Sequence, residues 1–127
     1  MAERSSVLIV AVVDDDQSVL RSLEYLLESA DYVVRVFSSG KELLDSGCVP
    51  EIDCLISDID MPGMEGYALL RAVRAARPEI PVILITGYPE TLRGLAHLGD
   101  RPRCFTKPFS GPELLSAVGD AIRKLRG

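Results

Sequence analysis

The sequence predicts an α/β protein in which a five-stranded parallel sheet is covered on both faces by five helices, a doubly wound domain. Three observations predict it. Short apolar runs alternate with amphipathic stretches along the whole chain. The runs are continuous and rich in β-branched residues, as strands buried on both faces are. Carboxylate, hydroxyl and ammonium side chains gather at the carboxyl ends of these runs, the edge along which open α/β sheets form their ligand crevice.

Taken in order, Val7 to Val13 is an uninterrupted apolar run and reads as the first strand. From Ser18 to Ala30 the apolar positions Val19, Leu23, Leu26, Leu27 and Ala30 recur at helical spacing. Tyr32 to Phe37 reads as the second strand, Gly40 to Ser46 as a short helix, and Asp53 to Ser57 as a third strand ending at Asp58. A helix over Tyr67 to Arg77 is stopped by Pro78, and Ile80 to Thr86 is the fourth strand. Glu90 to Leu98 predicts a weaker fourth helix. Arg103 to Thr106 is a short fifth strand closed by Lys107-Pro108. The fifth helix runs from about Pro112, a residue favoured in a first turn, with Leu114, Leu115, Val118, Ile122 and Leu125 on one face. Alternation of this kind gives a parallel sheet, and right-handed crossovers leave the doubly wound arrangement as the favoured one.

At 127 residues the chain suits one domain, spanning 1–127, that buries about two-thirds of its unfolded surface. It ends where the fifth helix is complete, so no output domain is expected in it. The net charge of -5 argues against unaided nucleic-acid binding, where cations must replace counterions. The apolar run at the N-terminus is too short for a membrane span and lacks the basic start and cleavage site of a signal peptide. Cys48, Cys54 and Cys104 share no metal-ligand or CxxC spacing, so reduced, mostly buried thiols in a cytoplasmic protein are expected.

The chemistry concentrates at the strand ends. The first strand ends in Asp14-Asp15-Asp16, the third in Asp58-Ile59-Asp60, the fourth in Thr86 and the fifth in Lys107. Two carboxylates about 4 Å apart repel by roughly 4 kcal/mol at an effective dielectric of 20, so a cluster of three or more needs a cation or shifted pKa values. Oxygen ligands without histidine or cysteine favour Mg²⁺, which accepts a phosphate as co-ligand. An aspartate can act as a nucleophile and become an aspartyl-phosphate, with a metal, a lysine and a hydroxyl stabilising the moving phosphoryl charge. Asp58, Mg²⁺, Lys107 and Thr86 fill those roles.

Four segments carry a resemblance: Val12-Val-Asp-Asp-Asp16, Leu55-Ile-Ser-Asp-Ile-Asp-Met-Pro-Gly-Met-Glu-Gly66, Ile83-Leu-Ile-Thr-Gly87 and Phe105-Thr-Lys-Pro-Phe109. In this order and at these distances they resemble the response-regulator receiver domain of two-component signalling, over nearly the whole chain. The resemblance implies a flavodoxin-like three-layer sandwich with strand order 2-1-3-4-5. It implies that Asp58 is the phosphoacceptor, that Asp15 binds Mg²⁺ directly and Asp14 mainly through water, and that the Asp60 main-chain carbonyl is a further ligand. Thr86 would hydrogen-bond the phosphoryl group and move inward on activation, Lys107 would pair with it, and the Lys107–Pro108 peptide would be cis. The phosphoryl donor would be a sensor histidine kinase or a phosphotransfer protein. An output partner would meet the face made by the fourth helix, fifth strand and fifth helix, with homodimerisation as one outcome. The domain would be regulatory and not an enzyme, catalysing only its own phosphorylation and dephosphorylation.

Other readings are weaker. Asp14 to Asp16 also fits a helix start, a role kept here for Asp16. A calcium loop beginning at Asp58 fails because Pro62 and Leu69 occupy ligand positions. His97 reads as a surface residue, and Met61 and Met64 as packing. Asp58-x-Asp60 also resembles the haloacid-dehalogenase phosphatases, but there the motif usually ends the first core strand and the other acidic ligands follow it. Sustained phosphomonoester turnover distinguishes that family. A phosphorylation-independent interaction module is disfavoured by the complete set of acceptor, acidic pair, threonine and lysine.

Three positions depart from the receiver pattern. Cys104 stands where a switch aromatic is usual, with Phe105 expected in the core. Asp60 stands two residues after the acceptor, where asparagine or another residue is frequent, and its extra charge is expected to alter dephosphorylation. The segment Leu98-Gly-Asp-Arg-Pro-Arg103 replaces the usual Gly-Ala turn, in a stretch about one residue short.

Overall fold

The structure, a computed structural model, describes residues 7–60, 66–88 and 103–126. Five strands and four helices follow in the order β1 (Ile9–Val13), α1 (Gln17–Glu28), β2 (Val33–Phe37), α2 (Gly40–Ser46), β3 (Cys54–Asp58), α3 (Gly66–Ala76), β4 (Val82–Thr86), β5 (Arg103–Thr106) and α4 (Gly111–Arg126). All strand pairs are parallel and the sheet order is β2-β1-β3-β4-β5. The fold is the expected one. The helix expected over Glu90 to Leu98 lies outside the described residues, and α4 is the helix counted fifth in the sequence.

Side chains of a strand alternate between faces, and here each face has its own core. Ala11 and Val13 of β1, Leu55 of β3 and Val82 and Leu84 of β4 pack with Leu43 of α2 and Leu69, Leu70 and Val73 of α3. Val10, Val12, Cys54, Ile56, Ile83 and Ile85 face the other way, against Leu20, Leu23 and Leu27 of α1 and Leu114, Ala117, Val118 and Ile122 of α4. The central strands are therefore apolar on both sides, which is why their sequences do not alternate. β5 lies at an edge, and Phe105 packs against the α1/α4 core as expected, though only half-buried, with the Arg103 guanidinium 5.9 Å from its ring centre. The thiols depart in part from expectation. None of the three forms a disulfide, but only Cys54 is buried, and burial pushes its thiol up to about 12.

Local chemistry fixes the element ends. Asp16 caps α1, its carboxylate accepting from the Ser18 amide at 2.9 Å, and Ser39 caps α2 by accepting from the Glu42 amide at 3.1 Å. Gly47 closes α2 in the left-handed region, φ 77°, where a side chain is strained. At the amino edge of the sheet, the Ile9 amide donates to the Asp53 carboxylate at 2.8 Å and the Asp53 amide returns a bond to the Ile9 carbonyl at 2.7 Å. Arg77, directly after α3, donates to the carbonyls of Val49, Pro50 and Ile52 at 2.9, 3.3 and 2.8 Å, clamping the segment that leads into β3. Removing a donor that serves several partly buried acceptors costs more than one ordinary hydrogen bond. Arg77→Ala is expected to lower stability by about 2 kcal/mol. Urea unfolding checks this, with an unchanged midpoint as the contrary result.

Candidate phosphoacceptor site

The register of the sheet brings the predicted site together. Val13 pairs with Ser57 and Asp58 pairs with Ile85, so Asp14 and Asp58 leave adjacent strands at one edge. Thr86, the last residue of β4, pairs with Thr106, which delivers Lys107 one residue later. The Lys107 amide donates to the Thr86 carbonyl at 2.8 Å, fixing that corner, and the Lys107–Pro108 peptide is cis. Four buried polar residues lie among the described residues, and three of them, Asp14, Asp58 and Thr86, belong to this edge.

The Lys107 ammonium sits between the two buried carboxylates, 3.1 Å from Asp14 Oδ2 and 3.3 Å from Asp58 Oδ2. The remaining oxygens are also engaged: Asp14 Oδ1 accepts from the Asp16 amide and Asp58 Oδ1 from the Asp60 amide, each at 2.9 Å. Burial pushes the Asp14 carboxyl above the usual range, with the Asp58 charge adding to it and the Asp16 amide and Lys107 opposing. For Lys107, burial works against the charge, but bonds to Asp14 and Asp58 and their charges raise it above the usual lysine range. The Lys107 ammonium thus offsets the repulsion between the two buried carboxylates.

A metal ion fits this arrangement. Ligand oxygens of Asp14, Asp15 and Asp58 lie within 4.8 Å of one another, with Asp15 exposed and the other two buried. Oxygens bound to one Mg²⁺ at about 2.1 Å lie up to about 4.2 Å apart, so small rotations bring all three round a single cation. Three carboxylates against one ammonium leave the site net negative, which a divalent cation corrects.

Thr86 and Asp60 meet in a way that the sequence reading missed. The Thr86 hydroxyl donates to Asp60 Oδ2 at 2.7 Å, and the Gly87 amide donates to the same oxygen at 2.9 Å. The Tyr88 amide donates to Thr86 Oγ1 at 3.0 Å. The signal available was the unusual second aspartate at position 60, but residue type alone does not show which way its carboxylate turns.

Residues 10–119 match the model of the response regulator receiver domain. The chain is 29% identical over 121 residues to the cell cycle response regulator CtrA of Brucella ovis, covering 93% of this chain and 51% of that protein. It therefore spans about half the length of the curated relatives it matches. A response regulator receiver domain protein from Clostridium thermocellum superposes with a TM-score of 0.84 at 25% identity, over 94% of this chain and 98% of the other. The BeF3-activated DrrB receiver domain superposes with a TM-score of 0.82 at 28% identity, over 92% and 98%. No helix among the described residues is long and apolar enough to cross a membrane.

Proposed function

The chain belongs to the response regulator receiver domain family, and on that footing we propose that it accepts a phosphoryl group on Asp58 and switches conformation to control an output partner. The observation that carries this reading is the Lys107 ammonium held between Asp58 and Asp14 at the carboxyl edge of the sheet. A carboxylate nucleophile needs access to phosphorus, relief from the repulsion of incoming phosphate oxygens, and a hydroxyl to receive the transferred group. Asp58 supplies the nucleophile. Lys107 supplies the fixed positive charge. Thr86 supplies the hydroxyl, one strand away.

In the proposed transfer, an Asp58 carboxylate oxygen attacks phosphorus as the bond to the donor breaks. With a phosphohistidine donor that is an N–P bond, and the imidazole leaves. Water later attacks the same phosphorus, releasing inorganic phosphate and restoring the carboxylate. Lys107 stays ionised throughout, its charge shared between Asp58 and the transferred oxygens. Asp14, Asp15 and Asp58, with the main-chain carbonyl of Asp60, would hold Mg²⁺, which supplies charge stabilisation on the phosphoryl oxygens when bound.

The donor in this reading is a sensor histidine kinase or phosphotransfer protein, in the cytoplasm. The response is a population shift, because phosphate favours one of two packings by differential contacts at Thr86 and Lys107. β5, α4 and the helix expected over residues 90–98 form the proposed output face. The test is incubation with acetyl phosphate and Mg²⁺ followed by intact mass. The expected result is a gain of one phosphoryl group by the wild type and none by Asp58→Ala; equal uptake by the variant, or none by the wild type, sinks the reading.

A further inference from the structure

The Thr86 hydroxyl carries one proton, and the structure commits it. Asp60 Oδ2 accepts it at 2.7 Å, while the Tyr88 carbonyl lies farther, at 3.2 Å. A hydrogen bond to a carboxylate is shorter and roughly twice as strong as one between neutral groups, so Asp60 holds the proton. The lone pairs of the same hydroxyl receive the Tyr88 amide, and Thr86 is fully buried, so no water competes for it. Asp60 Oδ2 gathers a second donor, the Gly87 amide at 2.9 Å. One carboxylate oxygen therefore takes both donors at the end of β4. Asp60 is tied back to the acceptor as well, its amide donating to Asp58 Oδ1 at 2.9 Å.

We propose that the Asp60 carboxylate is an internal competitor for the phosphoryl group, a positioning residue that occupies the Thr86 hydroxyl and the Gly87 amide until phosphate displaces it. This rests on the reading of Asp58 as the phosphoacceptor. A phosphoryl oxygen on Asp58 and the Asp60 oxygen cannot both receive the single Thr86 proton. Phosphorylation must break the Asp60–Thr86 bond before Thr86 can serve the phosphate, and the carboxylate must swing away from an anion of its own sign. The contact thus opposes the switched state and sets a threshold for it. An uncharged residue at position 60 would release Thr86 and lower that threshold.

Beryllofluoride with Mg²⁺ is the probe, because it adds to a carboxylate as a phosphoryl mimic without turning over. Its affinity is measured by ¹⁹F NMR titration for wild type, Asp60→Ala, Thr86→Ala and the double variant. Asp60→Ala is expected to bind about tenfold more tightly than wild type. In the Thr86→Ala background the gain is expected to shrink to about threefold, since the main competition is gone. In metal-free protein the Gly87 amide proton is expected to move upfield in Asp60→Ala, a change that a purely electrostatic role would leave small. An equal gain in both backgrounds means that Asp60 acts through charge alone and overturns the proposal. Equal affinity of wild type and Asp60→Ala also overturns it while leaving the phosphoacceptor reading intact. Absence of binding to all four proteins overturns both.

Discussion

In metal-free buffer at neutral pH, Lys107→Ala is expected to be about 2 kcal/mol less stable than wild type, with the deficit narrowing as the pH falls toward about 4. The ammonium sits 3.1 Å from Asp14 and 3.3 Å from Asp58, whose side chains are 2% and 5% exposed. Breaking a fully buried pair by removing one partner costs about 3–5 kcal/mol, because a charge is left without compensation. Lys107 is itself 27% exposed, so water entering the vacated space recovers part of that. The pH dependence follows from Asp14. Burial already raises its carboxyl above the ordinary range, and loss of the ammonium raises it further. A carboxyl with a raised folded value favours the folded state most below its unfolded value, and loses that advantage as the pH climbs through the folded one. The lysine's own raised value acts far above neutrality and leaves the acid side unchanged. Urea unfolding in EDTA at pH 5 and pH 7.5 measures both numbers, and equal deficits at the two values would remove Asp14 from the explanation.

Such a result turns on three strand ends that were legible from residue order alone. Asp14 directly follows a continuous apolar run, Asp58 ends the mostly apolar strand Cys54–Asp58 and Lys107 closes the short strand Arg103–Thr106, and parallel strands deliver their carboxyl ends to one edge. The runs themselves were legible because β1, β3 and β4 are buried on both faces and need no polar alternation. β5 and α2 begin and end where the sequence places them. β1, β2 and β4 start one or two residues later than expected, because apolar content continues past the point where the ladder begins. Val7, for example, is 61% exposed, and the β1–β2 pairing opens at Ile9 and Val33.

What the sequence concealed depends on side-chain direction. Asp60 could be recognised as an extra carboxylate, but its bond to Thr86 requires a particular turn two residues beyond β3 and a particular rotamer. Arg77 stands between α3 and a proline, and residue type alone does not show what it bonds. Its three carbonyl acceptors lie in an irregular segment with no periodicity to reveal them. Phe105 packs on the core as expected, but how far an edge strand leaves it covered, and that Arg103 lies over its ring, is not visible in residue order. The helix expected over residues 90–98 falls outside the described residues. Sequence periodicity thus revealed the scaffold, and residue order at the strand ends brought the candidate residues to one edge, while their hydrogen bonds needed coordinates.

Those assignments also separate two neighbouring carboxylates that look equivalent in the sequence. In EDTA, Asp14→Asn is expected to be about 1 kcal/mol more stable than wild type, and Asp15→Asn to differ by less than about 0.5 kcal/mol. Asp14 is buried beside Asp58 with its carboxyl raised, so its ionised form costs folding free energy above that raised value; an uncharged amide removes the cost and can still accept from the Asp16 amide. Asp15 is exposed, so its side chain stays in contact with water. Mg²⁺ should reverse the order. Wild type gains about 2.7 kcal/mol when the ion stands at a hundred times its dissociation constant. A variant binding tenfold more weakly gains only about 1.4 kcal/mol at the same concentration, about 1.3 kcal/mol less. Thermal unfolding followed by circular dichroism, with EDTA and then with Mg²⁺, gives both halves of the comparison. If Asp14→Asn proves less stable in EDTA, the ion pair with Lys107 outweighs the cost of burying the charge, and the site is held together without metal. If it is more stable, the acidic pair is retained against the interest of the apo fold, and binding the cation is the physical reason for its presence.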